Sequence, residues 1–377
     1  MYIYQDTSWP EFRWDRDLVA ARLAAVNKAS GFLAGRLSSI GLEGQIGAVA
    51  ETMTQDILTS SQIEGVQLNT DQVRSSVARR LGAPLPNDAP SSHYIDGIVE
   101  MMLDATTNFG TPLSTDRLFG WHNCLFPNGR SGYVEIDVAK YRSGGMKVVS
   151  GNMGREKVHY VAPDAEAVPA MMDRFLQWFN DGGVGCDYVK SAIAHLWFIC
   201  IHPFDDGNGR IGRAIADMAL SEAEGSNMRY FSMSRQINID KKSYYDILEK
   251  TQNSDCEITP WLVWYLDCMS RAITAADQTL SKVLDKAAFC QNHAQMSMSD
   301  RQKMVLNIYL DGYIGKLTVK NWARHAKVST DTASRDIADL VRKDVLVPQQ
   351  GRVRDVSYAM RISPQRLLTF GPPTNGE

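Results

Sequence analysis

Apolar residues recur at three- and four-residue steps over most of this chain, which is the period of amphipathic helices. The first two such runs, DLVAARLAAVNKASGFLAGRLSSIG (17–41) and GQIGAVAETMTQDILTSSQIEG (44–65), each stop at a glycine, a common residue at helix ends. The same period predicts further helices at 94–108, 115–126, 167–180, 188–201, 210–223, 243–253 and 259–285. The pattern therefore predicts a mainly α-helical fold.

Two segments interrupt this period in the first three quarters of the chain. Residues 81–92, LGAPLPNDAPSS, are rich in Pro, Asn and Ser and predict a connector. Residues 141–161 contain GGMKVVSGNMGREKVHYV, with β-favouring residues on both sides of a Gly- and Asn-rich centre. This arrangement predicts a β-hairpin with a loop longer than a tight two-residue turn.

The C-terminal part has a different order of elements. After the polar run 292–300, which predicts the start of a linker, the pattern indicates a helix, a short turn at KVS (327–329) and a second helix from Thr330 with a good N-cap candidate. Two short strands are predicted around Gly351. This order resembles a winged helix-turn-helix.

Length and composition are those of an ordinary globular protein with room for two or three domains. The chain has 377 residues, 44% of them hydrophobic and 22% charged. We predict an N-terminal helical domain at 1–85, a central helical domain at 86–290 and a winged helix-turn-helix domain at 291–377. From residue 291 onward 13 Lys and Arg face 8 Asp and Glu, a balance of +5 within a chain of net charge −3. A basic module on an acidic body favours a polyanion partner for that module.

The sequence predicts neither a secretory signal nor a membrane span. MYIYQDTSWPEFRWD lacks a basic region followed by an apolar core, and no apolar run approaches the roughly 18 residues of a spanning helix. The six cysteines are scattered without a C-x-x-C pair, which favours reduced thiols. We therefore expect a cytoplasmic protein.

The densest chemistry lies in HPFDDGNGRIGR, residues 202–213. The apolar run before it predicts a buried helix that ends as Pro203 follows, and the next helix is predicted to start near Gly209. The N–H groups of Gly207–Gly209 and of that first turn form an anion nest at the positive end of a helix dipole. Asp206 supplies a hard oxygen ligand of the kind that Mg²⁺ prefers beside a phosphate.

A base and two cations complete this motif. His202 is the one group here that can act as a base near neutral pH without a large pKa shift. Arg210 and Arg213 lie three residues apart, so both can project from one side of the first helical turn. An anion nest, a metal ligand, a base and two arginines together indicate a nucleotide phosphate-transfer site.

Two other loop motifs do not fit the same residues. An EF-hand begun at Asp206 has a carboxylate, Asp217, at its twelfth position, but Arg210 and Ile211 stand where an oxygen ligand and a glycine are required. A P-loop fails because no Gly-Lys-Ser/Thr follows the glycines.

HPFDDGNGRIGR resembles the signature of the Fic family, His-x-Phe-x-(Asp/Glu)-Gly-Asn-(Gly/Lys)-Arg followed by a second arginine, and every position matches. The resemblance implies a helical catalytic core and transfer of AMP from ATP to a hydroxyl side chain of a target protein. The roles it implies are base for His202, Mg²⁺ ligand for Asp206 and core anchor for Phe204. It also implies phosphate contacts by Gly207, Asn208, Gly209, Arg210 and Arg213.

Other features of the resemblance concern the rim of the site. The glycine at 209 places the chain with the AMP-transferring branch, since the branch with lysine there is linked to phosphorylation. The hairpin around 146–159 lies where family members have a flap, which can hold a target segment by main-chain pairing. HYVAP lacks the double proline frequent at that place. The residues predicted to contact ATP here and on the adenine side are Val158, His159, Tyr244, Tyr245 and Gln252.

A further resemblance lies in SSQIEG, residues 60–65. Glu64 is predicted in the last turn of a helix, where the helix dipole disfavours an anion by about 0.3–1 kcal/mol. Ser60-x-x-x-Glu64-Gly65 matches the family's inhibitory motif, (Ser/Thr)-x-x-x-Glu-(Gly/Asn). The resemblance implies that Glu64 pairs with Arg213 and blocks the place of the γ-phosphate. The aromatic start WPEFRW and the helices up to about 80 resemble the extra N-terminal domain of some long Fic proteins, for which packing is the default interpretation.

Several alternatives stay open from the sequence. The chain could remove AMP from modified targets, use UTP or a phosphocholine nucleotide, or serve as a DNA-binding regulator with a nucleotide-sensing Fic core. The basic C-terminal module, with Arg335, Arg342 and Lys343 on its helix and Arg352 and Arg354 in its wing, suits either DNA or a protein. The expected partners are a target protein with a Tyr, Ser or Thr hydroxyl, the chain itself by automodification, a second copy by family analogy and DNA, with no membrane.

Overall fold

The protein is described by a computed structural model that covers residues 1–84, 88–151, 155, 157–182, 188–311, 313, 315–349, 356–363 and 366–368. The chain divides into two compact units, 1–276 and 277–377. The three domains predicted from the sequence stay predictions. In the described residues no helix has both the length and the apolar composition that crossing a membrane requires.

The first unit is mainly helical, as predicted. Its helices are α1 Arg16–Leu37, α2 Leu42–Ile63, α3 Thr70–Leu81, α4 His93–Thr107, α5 Thr115–Leu125, α6 Val168–Asn180, α7 Tyr188–Ile201, α8 Asn208–Glu224, α9 Met233–Ile239, α10 Lys241–Gln252 and the first half of α11 Thr259–Asn292. Its strands form two antiparallel pairs, β1 Arg130–Ser131 with β2 Val134–Glu135 and β3 Lys147–Ser150 with β4 Lys157–Val161. The β3–β4 pair is the predicted hairpin.

The boundaries differ from the predicted ones at a few places. Helix α1 ends at Leu37 rather than near Gly41, because the hydroxyls of Ser38 and Ser39 donate to the carbonyls of Gly35 and Arg36 and compete with the helical pattern. Helix α9 was not predicted, since seven residues are too few to display a period. Helix α11 continues to Asn292, seven residues beyond its predicted end.

The core of the first unit is built around α7, in which every residue is buried. A helix that is apolar on all sides lies inside a protein, and α8 packs directly against this one. Trp9 and Phe12 from the aromatic start pack their rings edge-on against Trp197 of α7, with ring centroids 6.1 and 5.6 Å away. The packing interpretation of that segment fits this contact.

A buried charge cluster joins α2 to the α8 side of the core. The guanidinium of Arg229 donates to Asp56 of α2 at 2.7 Å and also to Asp217 of α8. The Ser232 hydroxyl donates to the same Asp56 carboxylate. Burial raises the pKa of Asp56 above its usual range; Arg229 opposes this shift and the nearby Asp217 adds to it. One arginine therefore compensates two buried carboxylates.

Replacing Arg229 with alanine is expected to lower the free energy of unfolding by about 3–5 kcal/mol, since it leaves two buried carboxylates without a cation. Urea unfolding followed by tryptophan fluorescence measures the change. Arg235→Ala is the matched control, because Arg235 is exposed on α9 and its loss should cost less than about 0.5 kcal/mol. Equal unfolding midpoints for the two variants would contradict this role of the cluster.

The second unit holds the rest of α11 and the elements α12 Asp300–Leu310, α13 Val319–Ala326, α14 Thr330–Arg342, β5 Leu346–Gln349, β6 Ser357–Ser363 and β7 Arg366–Leu368. The strands form one antiparallel sheet in the order β5-β6-β7. The buried core of the second unit includes Trp322, Ile337, Leu340 and Met360. The predicted helix from Thr330 is present, and a third strand joins the two predicted ones. The winged-helix assignment stays a prediction, and Arg352 and Arg354 lie outside the described residues.

Candidate active site

The motif forms the loop between α7 and α8 and the first turns of α8. After α7 ends at Ile201, His202 adopts a left-handed backbone conformation with φ of 52°, and its N–H still donates to the Phe198 carbonyl. Phe204 is fully buried and stacks on the His122 ring with centroids 4.3 Å apart. The loop is therefore anchored in the core by Phe204, and His202 is held at the loop's start.

Two residues shape the end of this loop. Gly207 has φ of +83°, and a Cβ there would lie 2.9 Å from the Phe126 ring, so only glycine fits without strain. The Asn208 side chain accepts from the Phe204 N–H at 2.9 Å and donates to the Phe204 carbonyl at 2.7 Å. The structure thus commits the buried Asn208 side-chain amide to the loop itself, and the phosphate contact implied for Asn208 stays a prediction.

His202 is oriented by a backbone carbonyl. Its Nδ1 lies 3.2 Å from the Ile199 oxygen, so the hydrogen sits on Nδ1 and the lone pair is on Nε2. Burial lowers the pKa of His202, which keeps the imidazole neutral near pH 7. A neutral imidazole with a free Nε2 lone pair can accept a proton from a hydroxyl group.

Asp206 is the one acidic side chain predicted to bind a metal. One of its oxygens accepts from the Ser131 hydroxyl, and the other accepts from the Gly207 N–H at 2.5 Å. In the described residues no group of three or more His, Cys, Asp or Glu could hold a metal ion. This donor set suits Mg²⁺ only where nucleotide phosphates and water supply the other ligands.

The guanidinium of Arg213 is bound by the end of α2. Its Nε donates to the Ser60 hydroxyl and its Nη2 donates to the Ser60 carbonyl, both at 2.9 Å. Nη2 also donates to Glu64 Oε1 at 2.8 Å. Only 3% of the Arg213 side chain is exposed, against 33% of Glu64. The second arginine of the motif is therefore engaged by residues about 150 positions earlier.

Glu64 also lies against the start of α8. A Cβ added at Gly209 would overlap the Glu64 carboxylate, so this carboxylate occupies the space beside the first turn of that helix. The N–H groups of a first helical turn have no intrahelical acceptor and attract anions. Glu64 thus lies where the sequence predicts an anion nest for phosphate.

Arg210 has different neighbours from Arg213. Its Nη1 donates to the Tyr94 hydroxyl at 3.1 Å, and its guanidinium lies 5.0 Å from the centroid of the Phe126 ring. Its Nε is buried and has no hydrogen-bond partner within the described residues. Arg213 is therefore bound by the Glu64 carboxylate and by Ser60, whereas Arg210 contacts two aromatic side chains.

Two family models match the chain. Residues 112–220, which include the whole motif, match the model described as Fic/DOC family. Residues 2–83 match a domain of unknown function, DUF4172. The chain contains a Fic/DOC domain.

Curated relatives and a solved structure agree with this domain. A protein adenylyltransferase Fic of Nematostella vectensis is 22% identical over 232 residues, 60% of this chain and 49% of that protein. A uridine 5'-monophosphate transferase of Xanthomonas campestris pv. campestris (strain 8004) is 28% identical over 119 residues, 29% of this chain and 21% of that protein. The chain spans about half or less of the length of these relatives. A crystal structure of a Fic family protein from Desulfovibrio desulfuricans G20 has a TM-score of 0.52 at 21% identity, covering 93% of this chain and 98% of that one, which shows a shared fold.

The hairpin predicted as a flap lies within the Fic domain and is tied to α10. His159 Nδ1 lies 2.7 Å from Glu249 Oε2 and its Nε2 lies 2.5 Å from the Ser150 hydroxyl, while Lys157 pairs with the same Glu249 at 2.9 Å. The neighbouring Val158 is 45% exposed. His159 is thus committed to the hairpin and α10, whereas Val158 is free to meet a ligand.

The three predicted adenine-side residues differ in exposure. Tyr244 is buried, and its hydroxyl lies 2.8 Å from His195 Nε2. Gln252 is also buried, and its Nε2 has no hydrogen-bond partner within the described residues. Tyr245 is 42% exposed and reaches the Ile63 carbonyl at the end of α2 at 3.5 Å. Tyr245 is therefore the most accessible of the three, and Tyr244 serves the core.

Sequence reasoning did not find two residues that hold the Fic motif in place. Arg142 donates to the carbonyls of His202 at 2.8 Å, Gly144 at 2.8 Å and Pro163 at 2.5 Å, and so ties the base of the hairpin to the motif. His122 Nε2 donates to the Asp206 carbonyl at 3.1 Å. No local pattern marks either residue, because each acts through backbone carbonyls that only the fold brings near.

Proposed function

We propose that this protein transfers AMP from ATP to a hydroxyl side chain of a target protein or of itself. The observation that carries the proposal is the geometry of His202, whose Nε2 lone pair is left free by the Nδ1 contact to the Ile199 carbonyl. His202 lies at the start of the loop that leads into the anion-attracting N-terminal end of α8. The adenylyltransferase names among the relatives of the Fic domain support the choice of AMP.

In the proposed reaction His202 Nε2 accepts the proton of the target hydroxyl. That oxygen forms a bond to the α-phosphorus while the bond from the α-phosphorus to the bridging oxygen breaks, so pyrophosphate leaves with the electron pair. The backbone N–H groups at the start of α8 and the guanidiniums of Arg210 and Arg213 hold the phosphate oxygens. Asp206 would hold a Mg²⁺ ion, which neutralises phosphate charge when bound.

We also propose that Glu64 restrains this reaction. Its carboxylate is bound to Arg213 Nη2 and lies beside Gly209, so an outer phosphate of ATP would have to displace it from both places. Two anions cannot share these donors without repulsion. Productive binding of ATP therefore requires the Glu64 carboxylate to move away from Arg213. In this proposal the C-terminal end of α2 inhibits the site.

The test uses ATP labelled separately on the α- and γ-phosphorus, with the wild-type chain and Glu64→Gly, and follows label on protein. We expect α-label on protein and no γ-label, and we expect more from Glu64→Gly than from wild type. If only the γ-label appears on protein, the chain transfers phosphate as a kinase does and the proposal is wrong. If α-labelled UTP modifies protein and α-labelled ATP does not, the chain is a UMP transferase, the activity named for the Xanthomonas relative.

A further inference from the structure

The second unit contains two helices in tandem that the proposed reaction does not use. Helix α13 ends at Ala326, Lys327 takes a left-handed conformation with φ of 55°, and the Ser329 side chain accepts from the Thr332 N–H to cap α14. Three residues thus separate the helices. A short turn of this length with one left-handed residue is typical of a helix-turn-helix.

Helix α14 has one buried face and one exposed face. Its buried residues recur at helical spacing and pack in the core of the second unit: Ala333, Asp336, Ile337 and Leu340. The opposite, exposed stripe is made of short or charged side chains: Asp331, Ser334, Arg335, Ala338 and Arg342. The short side chains of Ser334 and Ala338 allow the backbone of α14 to approach a binding partner closely.

Cations on these two helices are free for a ligand. Lys320 on α13, Lys327 in the turn and Arg335 on α14 are exposed, and within the described residues their side chains have no ion-pair or hydrogen-bond partner. Arg342 differs, since it pairs with Asp339 at 3.0 Å. Asp331 is the one acidic residue on the exposed stripe of α14, and a carboxylate can accept from the amino group of cytosine.

The same face lacks the anchors that a protein partner needs. Large apolar side chains that are exposed elsewhere in the second unit include Met304 and Leu367, at 45% each, but none lies in the described segment 315–349. Protein interfaces depend on buried aromatic and aliphatic anchors, whereas interfaces with nucleic acid are polar and positively charged. The composition of this face therefore favours nucleic acid over protein.

We propose that α13 and α14 bind duplex DNA. Helix α14 enters the major groove with Ser334, Arg335 and Ala338 toward the base edges, while Lys320 and Lys327 contact phosphates. Arginine can donate two hydrogen bonds to a guanine, and alanine can contact a thymine methyl group. This proposal is independent of the nucleotide-transfer reaction, because none of its residues lies in the Fic domain.

The experiment uses the full chain and a fluorescein-labelled mixed-sequence duplex of about 30 base pairs, with binding followed by anisotropy at several salt concentrations. The wild-type chain is expected to bind the duplex at 50 mM salt, and the logarithm of its binding constant should fall linearly with the logarithm of the salt concentration. Lys320→Ala/Lys327→Ala should reduce that slope by about 1–2, since each lost phosphate contact removes about 0.9. Lys282→Ala/Lys303→Ala removes the same charge from exposed positions on α11 and α12 and should leave the slope unchanged.

A second arm tests base reading by Arg335. A duplex selected from a random pool by the wild-type chain should lose about 5- to 150-fold in affinity for Arg335→Ala, the range of one bidentate base contact. The proposal is wrong if the wild-type chain does not bind the duplex at 50 mM salt, or if the control pair of substitutions lowers the slope as much as Lys320→Ala/Lys327→Ala. It is also wrong if the chain binds single strands as tightly as the duplex, or if selection enriches no sequence. His202→Ala should bind DNA as wild type does, which separates this result from failure of the proposed reaction.

Discussion

Replacing His202 with alanine is expected to lower the rate of AMP incorporation by about 10²- to 10⁴-fold, the usual contribution of a general base. The loss follows because an alanine side chain cannot accept the hydroxyl proton that His202 Nε2 takes in the proposed reaction. The measurement is transfer of α-label from ATP to protein. It is made in the Glu64→Gly background so that the activity of the parent, which retains His202, is high enough to compare.

His93→Ala is the control for this variant, because His93 is exposed at the start of α4, away from the motif in sequence. It should transfer label at the rate of the parent. ATP binding should survive in His202→Ala, since the proposed phosphate contacts come from the backbone of α8 and from Arg210 and Arg213. A His202→Ala variant that transfers label within tenfold of the parent would exclude His202 as the base.

Replacing Glu64 with glycine is expected to raise AMP transfer by about 5- to 150-fold, the range of typical coupling between sites. The variant removes the carboxylate from Arg213 Nη2 and from the space beside Gly209, and so frees both for the outer phosphates of ATP. Initial rates of α-label incorporation at equal protein concentration measure the gain.

Two variants sharpen this test. Ser60→Ala removes the hydroxyl that accepts from Arg213 Nε but leaves the Glu64 carboxylate, so we expect a smaller gain. Glu43→Gln removes an exposed carboxylate from the first turn of the same helix and should change nothing. If Glu64→Gly binds ATP and transfers label no faster than wild type, the restraint is absent. Incubating a pre-modified target with wild type and Glu64→Gly would reveal whether Glu64 serves AMP removal instead.

Local patterns predicted most of the fold and the chemistry of the motif. Helices from 94 to 285 follow from apolar periodicity, and the hairpin from its β-favouring flanks; the structure has both. The short helix α9 and the third strand of the second unit were not predicted, because three to seven residues carry too little periodic signal. The residue types and spacing of HPFDDGNGRIGR were sufficient to predict a base before the loop, an anion nest in it and two cations on the first turn of the next helix.

The sequence by itself determined which residue types stand at the loop and that α2 ends with an anion where its dipole disfavours one. No local pattern identifies what compensates that anion: the family resemblance implied Arg213, and the tertiary structure shows that contact and a second one. Arg213 binds Glu64, and Lys241 donates to the Ile63 carbonyl at 2.7 Å, so two cations from distant segments meet the C-terminal end of α2. Only the tertiary structure decided that Asn208 serves the loop and that Arg142 holds His202. Such contacts join residues more than a hundred positions apart or depend on backbone carbonyls, and neither periodicity nor local spacing carries that information.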